Sequence, residues 1–283
     1  MSDTQSLTLA GLHVYPIKSC GGCDVNEALL IETGLEFDRA WMVVDADGEM
    51  VTQRELPRMA LIETQLRQSD LKVKAPGMLA LHLAFDQVEA ATQATVWGDT
   101  VKAYDMGDLA AQWFSDFLGK KLRLVRFDPD QKRLSDKSWT GDIDAENQFS
   151  DGFPLLVVSK ASLAELNRRL TAAGAPEAEM QRFRPNIVID GPDLAAHGED
   201  HLDEIRVNAP EGEVVLKMVK PCSRCSIPDV HPVTAATGHA VADALQAYRA
   251  TDRGVTFGMN AVIVKGIECG LRRGDSATAS LRF

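Results

Sequence analysis

Four short segments hold the residues best suited to chemistry. KPCSRCSIPDVHP, residues 220–232, carries Cys222 and Cys225 with Ser223 and Arg224 between them. A thiolate beside a guanidinium is stabilised and becomes a better metal ligand or nucleophile; the same segment also reads as a turn with two half-buried thiols. Pro221 and Pro228 block regular strand pairing, so the chain must turn sharply here. YPIKSCGG, residues 15–22, sets Lys18 and Ser19 before a glycine pair. Lysine supplies charge, serine a hydroxyl, and glycines let backbone approach an anion. The Walker order G-x-x-x-x-G-K is missing, so a plain loop with a solvated lysine fits as well. FDRAW holds Arg39 just before an apolar run, and RFRPNIVID holds Arg182, Arg184 and Asn186 before another. An arginine so placed can aim its fork at a phosphate or carboxylate, although a surface salt bridge is the commoner role of any single arginine.

Other patterns carry less. Four of the five cysteines form two Cys-x-x-Cys pairs, Cys20/Cys23 and Cys222/Cys225, and Cys269 stands alone. Without an export signal, such pairs suggest metal, redox or thiolate chemistry rather than a disulfide framework. Almost the whole chain separates the pairs, against ~15–20 residues in a zinc ribbon, so a four-cysteine zinc site is a minor reading. DADG resembles a calcium loop, but placing Gly48 at loop position six puts Val43 at position one, so an EF-hand fails. His197 and His201 lie in HGEDH, read as a solvated loop. His231 and His239 follow Cys225 closely and could bind metal or move protons, but read as loop residues. Neither G-x-S-x-G nor G-x-G-x-x-G occurs, which leaves hydrolase-elbow and Rossmann readings without support.

The elements that must position these residues are mostly strands. LTLAGLHVYPI, a hairpin in AWMVVDADGEMVTQRE turning at Asp47-Gly48, LKVKA, MLALHLAF and ATVWGDTVKAYD fill the first hundred residues. Short strands with frequent turns favour a barrel. GDLAAQWFSDFLGK predicts a helix with Leu109, Trp113, Phe114, Phe117 and Leu118 on one face and Gly119 at its end. A polar loop covers 128–150, a length often functional in compact proteins. FPLLVVS then predicts a strand and SKASLAELNRRL a helix, with Ser162 and Glu165 at capping-box spacing. NIVIDG, DEIRVN, EVVLKMVK and NAVIVKG predict strands, and ALQAYRA the end of a helix. We expect a mixed, β-rich α+β fold with two domains, 1–127 (a β-barrel-like region) and 128–283, with the first strand of the chain able to join the second domain.

At 283 residues and 45% hydrophobic, 25% charged, the chain suits a globular fold with its own core. A net charge of −11 disfavours non-specific nucleic-acid or acidic-membrane binding, without excluding a local basic pocket. The N-terminus lacks a basic region followed by an apolar run, and charges interrupt every apolar stretch before ~18 residues, so we expect neither signal peptide nor membrane span, and a cytoplasmic location.

In order along the chain, YPIKS, FDRAWMVV, VWGD, SDGFPLLVVSKASLAELNRRL, FRPNIVIDG and VKPCSRC resemble the MOSC family, the molybdenum-cofactor sulfurase C-terminal domain, preceded by its N-terminal β-barrel. FGMNAVIVKG and the late RRGD extend the resemblance, which covers nearly the whole chain and takes in the mitochondrial amidoxime-reducing component and its bacterial counterparts. The resemblance implies a MOSC β-barrel with a few flanking helices. It implies a molybdenum–molybdopterin cofactor, and reduction of N-hydroxylated small molecules. It assigns Cys225 as the molybdenum ligand. Lys18, Ser19, Arg39, Arg184, Asn186, Ser223 and Arg224 fall where relatives hold the pterin and its phosphate. Asp151, Gly152 and Phe153 fall where relatives approach the metal and cofactor, with Asp151 as a catalytic candidate. The residue chemistry agrees: a phosphate and an anionic dithiolene need cationic and hydroxyl donors, and molybdenum needs a soft thiolate. Asp151, Asp229 or His231 could supply the proton.

Departures from the family pattern follow Cys225, where Ser226, Ile227, Pro228 and Asp229 replace the usual apolar residue and Thr pair, and at Met259, where relatives carry Gln. The sequence ends at GDSATASLRF without the cysteines of an iron–sulfur cluster, so we expect no such cluster in this chain and electrons from a separate flavoprotein or ferredoxin-type donor. No large aminotransferase region is present, so no pyridoxal phosphate is expected. Two alternatives remain: a carrier holding a persulfide on Cys225 or passing the cofactor on, and a binding module that has lost the metal.

Overall fold

The computed structural model of the chain describes residues 4–87 and 90–282, so the outermost ends of the two expected domains lie outside the described residues. Seven strands close a barrel. Around it run Leu155–Ser159, Ile187–Asp190, Thr4–Val14, Ser276–Leu281, Leu202–Ala209, Gly212–Ser223 and Gly254–Lys265, the last pairing back to the first. All neighbours are antiparallel except Leu155–Ser159 and Ile187–Asp190, which run parallel across a helical crossover. The mixed, β-rich architecture expected from the sequence is therefore the one observed, and the first strand of the chain sits in the barrel between two strands from the C-terminal half.

Thr4–Val14 shows how sequence sets this register. Leu7 and Leu9 alternate inward, then a bulge between Leu9 and Gly11 resets the phase so that Leu12 and Val14 point into the same core. That core gathers Leu30, Leu155, Ile187, Leu216, Met218, Met259 and Ala261, all essentially buried. The SATASL strand, Ser276–Leu281, went unread in the sequence; only Ala277 and Ala279 face inward, too weak an alternation to mark it.

Among the described residues three smaller antiparallel sheets join the barrel: Trp41–Val44, Arg123–Phe127, Asp99–Asp105 and Ala91–Val96 in one, Glu63–Leu66, Asp70–Lys74 and Leu81–Ala84 in the second, and Gly270–Arg272, Glu27–Ile31 and Gly34–Leu35 in the third. The Asp47-Gly48 hairpin turns as expected, but its second arm contributes only single bridges at Glu49 and Met50. The helix Gly107–Leu118 ends at Gly119 with φ 72° and buries Ala110, Trp113, Phe114, Phe117 and Leu118. Leu109 is not on that face: it is 76% exposed, because it lies ~100° from the centre of the stripe.

The helix Lys160–Ala172 is capped by Ser159, whose Oγ accepts from the Ser162 N–H at 3.0 Å. Ser162 is thus inside the helix rather than its cap, and Glu165 pairs with Arg168 and Arg169 instead of closing a capping box. The HGEDH segment is not a solvated loop either. It forms a 3-10 turn, Gly198–His201, whose Glu199 is fully buried and accepts from the Ser159 N–H and from both serine hydroxyls.

Candidate functional site

The loops after Thr4–Val14 and before Trp41–Val44, Leu155–Ser159 and Ile187–Asp190, together with the turn after Gly212–Ser223, meet around one cleft. Its empty volume is about 810 Å³, open mouth included. Every residue singled out for the cofactor lines it: Lys18 and Ser19, Arg39, the Asp151-Gly152-Phe153 turn, Arg184 and Asn186, and Ser223, Arg224 and Cys225.

Backbone pins the first loop. The Lys18 N–H donates to the Trp41 carbonyl at 2.8 Å, and Gln53 Nε2 donates to the Ser19 carbonyl at 2.6 Å. Ser19, Arg39 and Arg184 all adopt left-handed backbone, with φ of 65°, 51° and 57°. Such conformations are costly for non-glycine residues and cluster at functional sites. Arg184 closes the 3-10 turn Met180–Phe183 and precedes Pro185, which bars a continued helix.

Arg39 and Arg184 share one ring. Their guanidinium carbons lie 4.5 and 4.3 Å from the centroid of buried Tyr15. Arg39 Nη2 donates to the Arg184 carbonyl at 3.0 Å and its Nη1 to Asp38 at 2.5 Å. Arg184 Nη1 donates to the Cys20 carbonyl at 2.6 Å, but its Nη2 is buried with no partner. Burial, then repulsion from Arg39, pushes the Arg184 pKa down to about 10. Arg224 is held by carbonyls: Nε and Nη2 donate to Phe257 O, and Nη1 to Phe183 O at 3.0 Å. Gly258 makes room for this, since at φ 78° a Cβ would stand 2.6 Å from Val158 Cγ2. Asn186 spends its amide inside the fold, accepting from the Leu156 N–H and donating to the His13 carbonyl.

Lys18 is buried; its Nζ donates to the Phe149 carbonyl at 2.8 Å and to Asp151. Burial lowers its pKa, against the opposing pull of Asp151. Burial alone would raise the Asp151 pKa, but the Lys18 ammonium and a Trp97 N–H at 3.1 Å outweigh it and hold the carboxyl well below its usual range. The Asp151 side chain is nonetheless 67% exposed towards the cleft water, so part of this field is screened. The turn carrying it is locked by Arg133, whose Nη1 donates to the Gln148 and Ser150 carbonyls, and by Ser150 Oγ donating to Asn147.

Cys225 is exposed, and Arg54 Nη2 lies 3.2 Å from its Sγ. Cys222 is half-buried, and burial raises its pKa. Cys20 and Cys23 are buried and do not line the cleft; the Cys20 carbonyl accepts from Arg184 behind it, and the Cys23 thiol donates to the Thr64 carbonyl. Among the described residues no three or more His, Cys, Asp or Glu side chains gather as a metal site. Asp229 and His231 do not line the cleft. Asp229 caps the helix Ala240–Arg249 by accepting from the Val241 and Ala242 N–H groups, and His231 Nδ1 accepts from the Val233 N–H.

Six cationic side chains line the cleft, Lys18, Arg39, Arg54, Arg182, Arg184 and Arg224, against one carboxylate, Asp151. Asp38 and Glu179 pair with Arg39 and Arg182 from behind, which leaves a surplus of three positive charges in a chain of net charge −11. Arg54 went unnoticed in the sequence. It follows an unremarkable Thr-Gln pair, and only the fold brings it to the thiol. Gly152 faces open space, with no atom within 4 Å of where a Cβ would stand.

Fold and site together define a β-barrel protein whose cleft gathers a surplus of positive charge beside one exposed thiol. Residues 6–121 match the MOSC N-terminal beta barrel domain and 144–278 the MOSC domain, and the chain belongs to this family. It is 35% identical to mitochondrial amidoxime-reducing component 1 of Mus musculus over 87% of this chain and 72% of that protein. Human mitochondrial amidoxime reducing component 2 is 36% identical over 87% of this chain and 73% of its own length. Human molybdenum cofactor sulfurase is 30% identical over 89% of this chain, which spans 29% of that longer protein. The family is thereby tied to molybdenum-cofactor chemistry.

Proposed function

We propose that this chain is a cytoplasmic oxidoreductase that reduces N-hydroxylated small molecules with a molybdenum–molybdopterin cofactor, Cys225 being the metal ligand. One observation carries the reading: an accessible thiol opens onto a cleft with an uncompensated cationic surplus. The residues fit the group. The unpartnered Arg184 Nη2 and the neighbouring Arg39 suit a phosphate, Ser19 and Ser223 bring hydroxyls, and the open backbone at Gly152 admits a flat ring system. Bound there, the cofactor would supply a two-electron source and a Lewis-acid metal.

The chain's own residues hold and prepare. Breaking the N–O bond releases water and consumes two protons with the two electrons. Asp151 is held ionised and is a poor acid, so the proton of the Lys18–Asp151 pair resides on Lys18 Nζ, whose lowered pKa makes it the readier donor. Asp151 orients that ammonium and accepts from Trp97. Arg224 positions the turn that presents Cys225. Electrons come from a separate flavoprotein or ferredoxin-type donor. No helix among the described residues is long and apolar enough to cross a membrane.

The test is reduction of benzamidoxime by protein from a molybdenum-replete host, with reduced methyl viologen as electron source. Wild type turns it over and Cys225→Ala does not, while both keep the same circular dichroism spectrum. Equal turnover by the two proteins contradicts the reading. Sulfur carriage by Cys225 is the second reading, favoured by the likeness to molybdenum cofactor sulfurase over most of this chain. A persulfide mass on Cys225 in protein free of pterin supports it.

A further inference from the structure

Trp97 does not line the cleft but stands against three residues that do, Lys18, Arg54 and Asp151. With Gly98 it turns the chain between the strands Ala91–Val96 and Asp99–Asp105, at φ of 54° and 88°. Two left-handed residues in succession are the usual place of Asn-Gly in a hairpin, and a tryptophan there is strained. The ring is also 46% exposed, so little burial offsets the strain. Strain kept at an exposed aromatic is a reason to look for function.

Its contacts point the same way. The indole N–H donates to Asp151 Oδ1 at 3.1 Å, and Lys18 Nζ lies 5.6 Å from the ring centroid. The Arg54 guanidinium lies 4.8 Å from the same centroid and reaches Cys225 Sγ at 3.2 Å. One side chain therefore touches both the proton-bearing pair and the cation beside the thiol. Held by its edge to a carboxylate, the indole cannot turn freely, so the orientation of its face is fixed.

We propose that Trp97 is the wall against which substrate stacks, and that it selects planar, conjugated N-hydroxylated compounds over saturated hydroxylamines. This rests on the reductase reading above. A conjugated N–OH group offers a flat π face that a saturated hydroxylamine lacks.

The test uses holoenzyme: wild type, Trp97→Phe and Trp97→Leu, none β-branched at this left-handed position. Each is assayed with benzamidoxime and with N-cyclohexylhydroxylamine. The ratio of kcat/KM for the planar over the saturated substrate falls about three- to tenfold in Trp97→Leu, the worth of one aromatic contact, and stays within about twofold in Trp97→Phe. A purely structural role would lower both substrates alike, so an unchanged ratio in Trp97→Leu overturns the proposal. A second measurement separates its failure from that of the reductase reading. Benzamide, planar and without an N–OH, quenches indole emission in wild type, and that quench disappears in Trp97→Phe. If the quench needs Trp97 but neither substrate is reduced, the stacking site stands and the reductase reading falls. If the quench survives undiminished in Trp97→Phe, the stacking site falls.

Discussion

Arg184 carries a charge that the protein's own contacts do not fully use, since its Nη2 has no partner. Its lowered pKa, about 10, reflects burial and repulsion from Arg39. At ~1.4 kcal/mol per pKa unit this is a native-state penalty of order 3 kcal/mol, and the cleft water that reaches the side chain leaves about half of it. Arg184→Met removes the penalty. It also removes the Nη1 hydrogen bond to the Cys20 carbonyl, a charged bond worth about 1.5–3 kcal/mol, while the methionine sulfur replaces part of the contact with Tyr15. The two effects nearly cancel, so urea unfolding in phosphate-free buffer should place the variant within about 2 kcal/mol of wild type. Inorganic phosphate should then separate them. Wild type should gain about 2.7 kcal/mol at a phosphate concentration a hundredfold above its Kd, and the variant close to nothing. A variant that loses most of its stability without phosphate, or that gains as much as wild type with it, refutes the view that this guanidinium waits for an anion.

Gly258→Ala should cost about 2–3 kcal/mol, from a left-handed backbone and a Cβ 2.8 Å from the Val157 carbonyl, and should loosen the Phe257 carbonyl that holds Arg224; urea midpoints and phosphate titration check both effects. His197 has both ring nitrogens buried without partners, and burial, then Arg249, pushes its pKa down to about 4. The unfolded chain takes up that proton near pH 6.5, so stability is full above that value and falls as pH drops towards 4, by about 1–2 kcal/mol after screening. His197→Asn, tolerated at φ 60°, should flatten this slope in urea unfolding between those pH values.

Much of the architecture was legible because strand patterns are local. Leu7, Leu9, Leu12 and Val14 announce a strand with one inward face, and Gly107–Leu118 announces a helix with a glycine stop. Closure of the barrel was not legible, since it depends on Leu155 meeting Ala261 across more than a third of the chain and Thr4 meeting Ser280 across nearly all of it. The site divides in the same way. Lys18, Arg39, Arg184 and Cys225 stand in segments whose residue types suggest anion and thiolate chemistry, and the fold gathers them in one cleft. Arg54 and Trp97 could not be found so. Nothing near Arg54 in sequence is unusual, and VWGD carried the family resemblance without giving Trp97 a role; their meaning lies in a 3.2 Å approach to Cys225 and a 3.1 Å bond to Asp151. Glu199 was misread because a charged residue among loop formers looks solvated; three donors at the Ser159–Ser162 helix start draw it inside.

The central claim is that the accessible sulfur of Cys225 holds the metal and its half-buried neighbour does not. Elemental mass spectrometry of freshly purified wild type, Cys225→Ala and Cys222→Ala, all from a molybdenum-replete host, tests it most directly. The account predicts about one molybdenum per chain in wild type and in Cys222→Ala, and a near-complete loss in Cys225→Ala with the fold retained. Equal molybdenum in all three proteins, or none in a wild type that is fully folded, would contradict it.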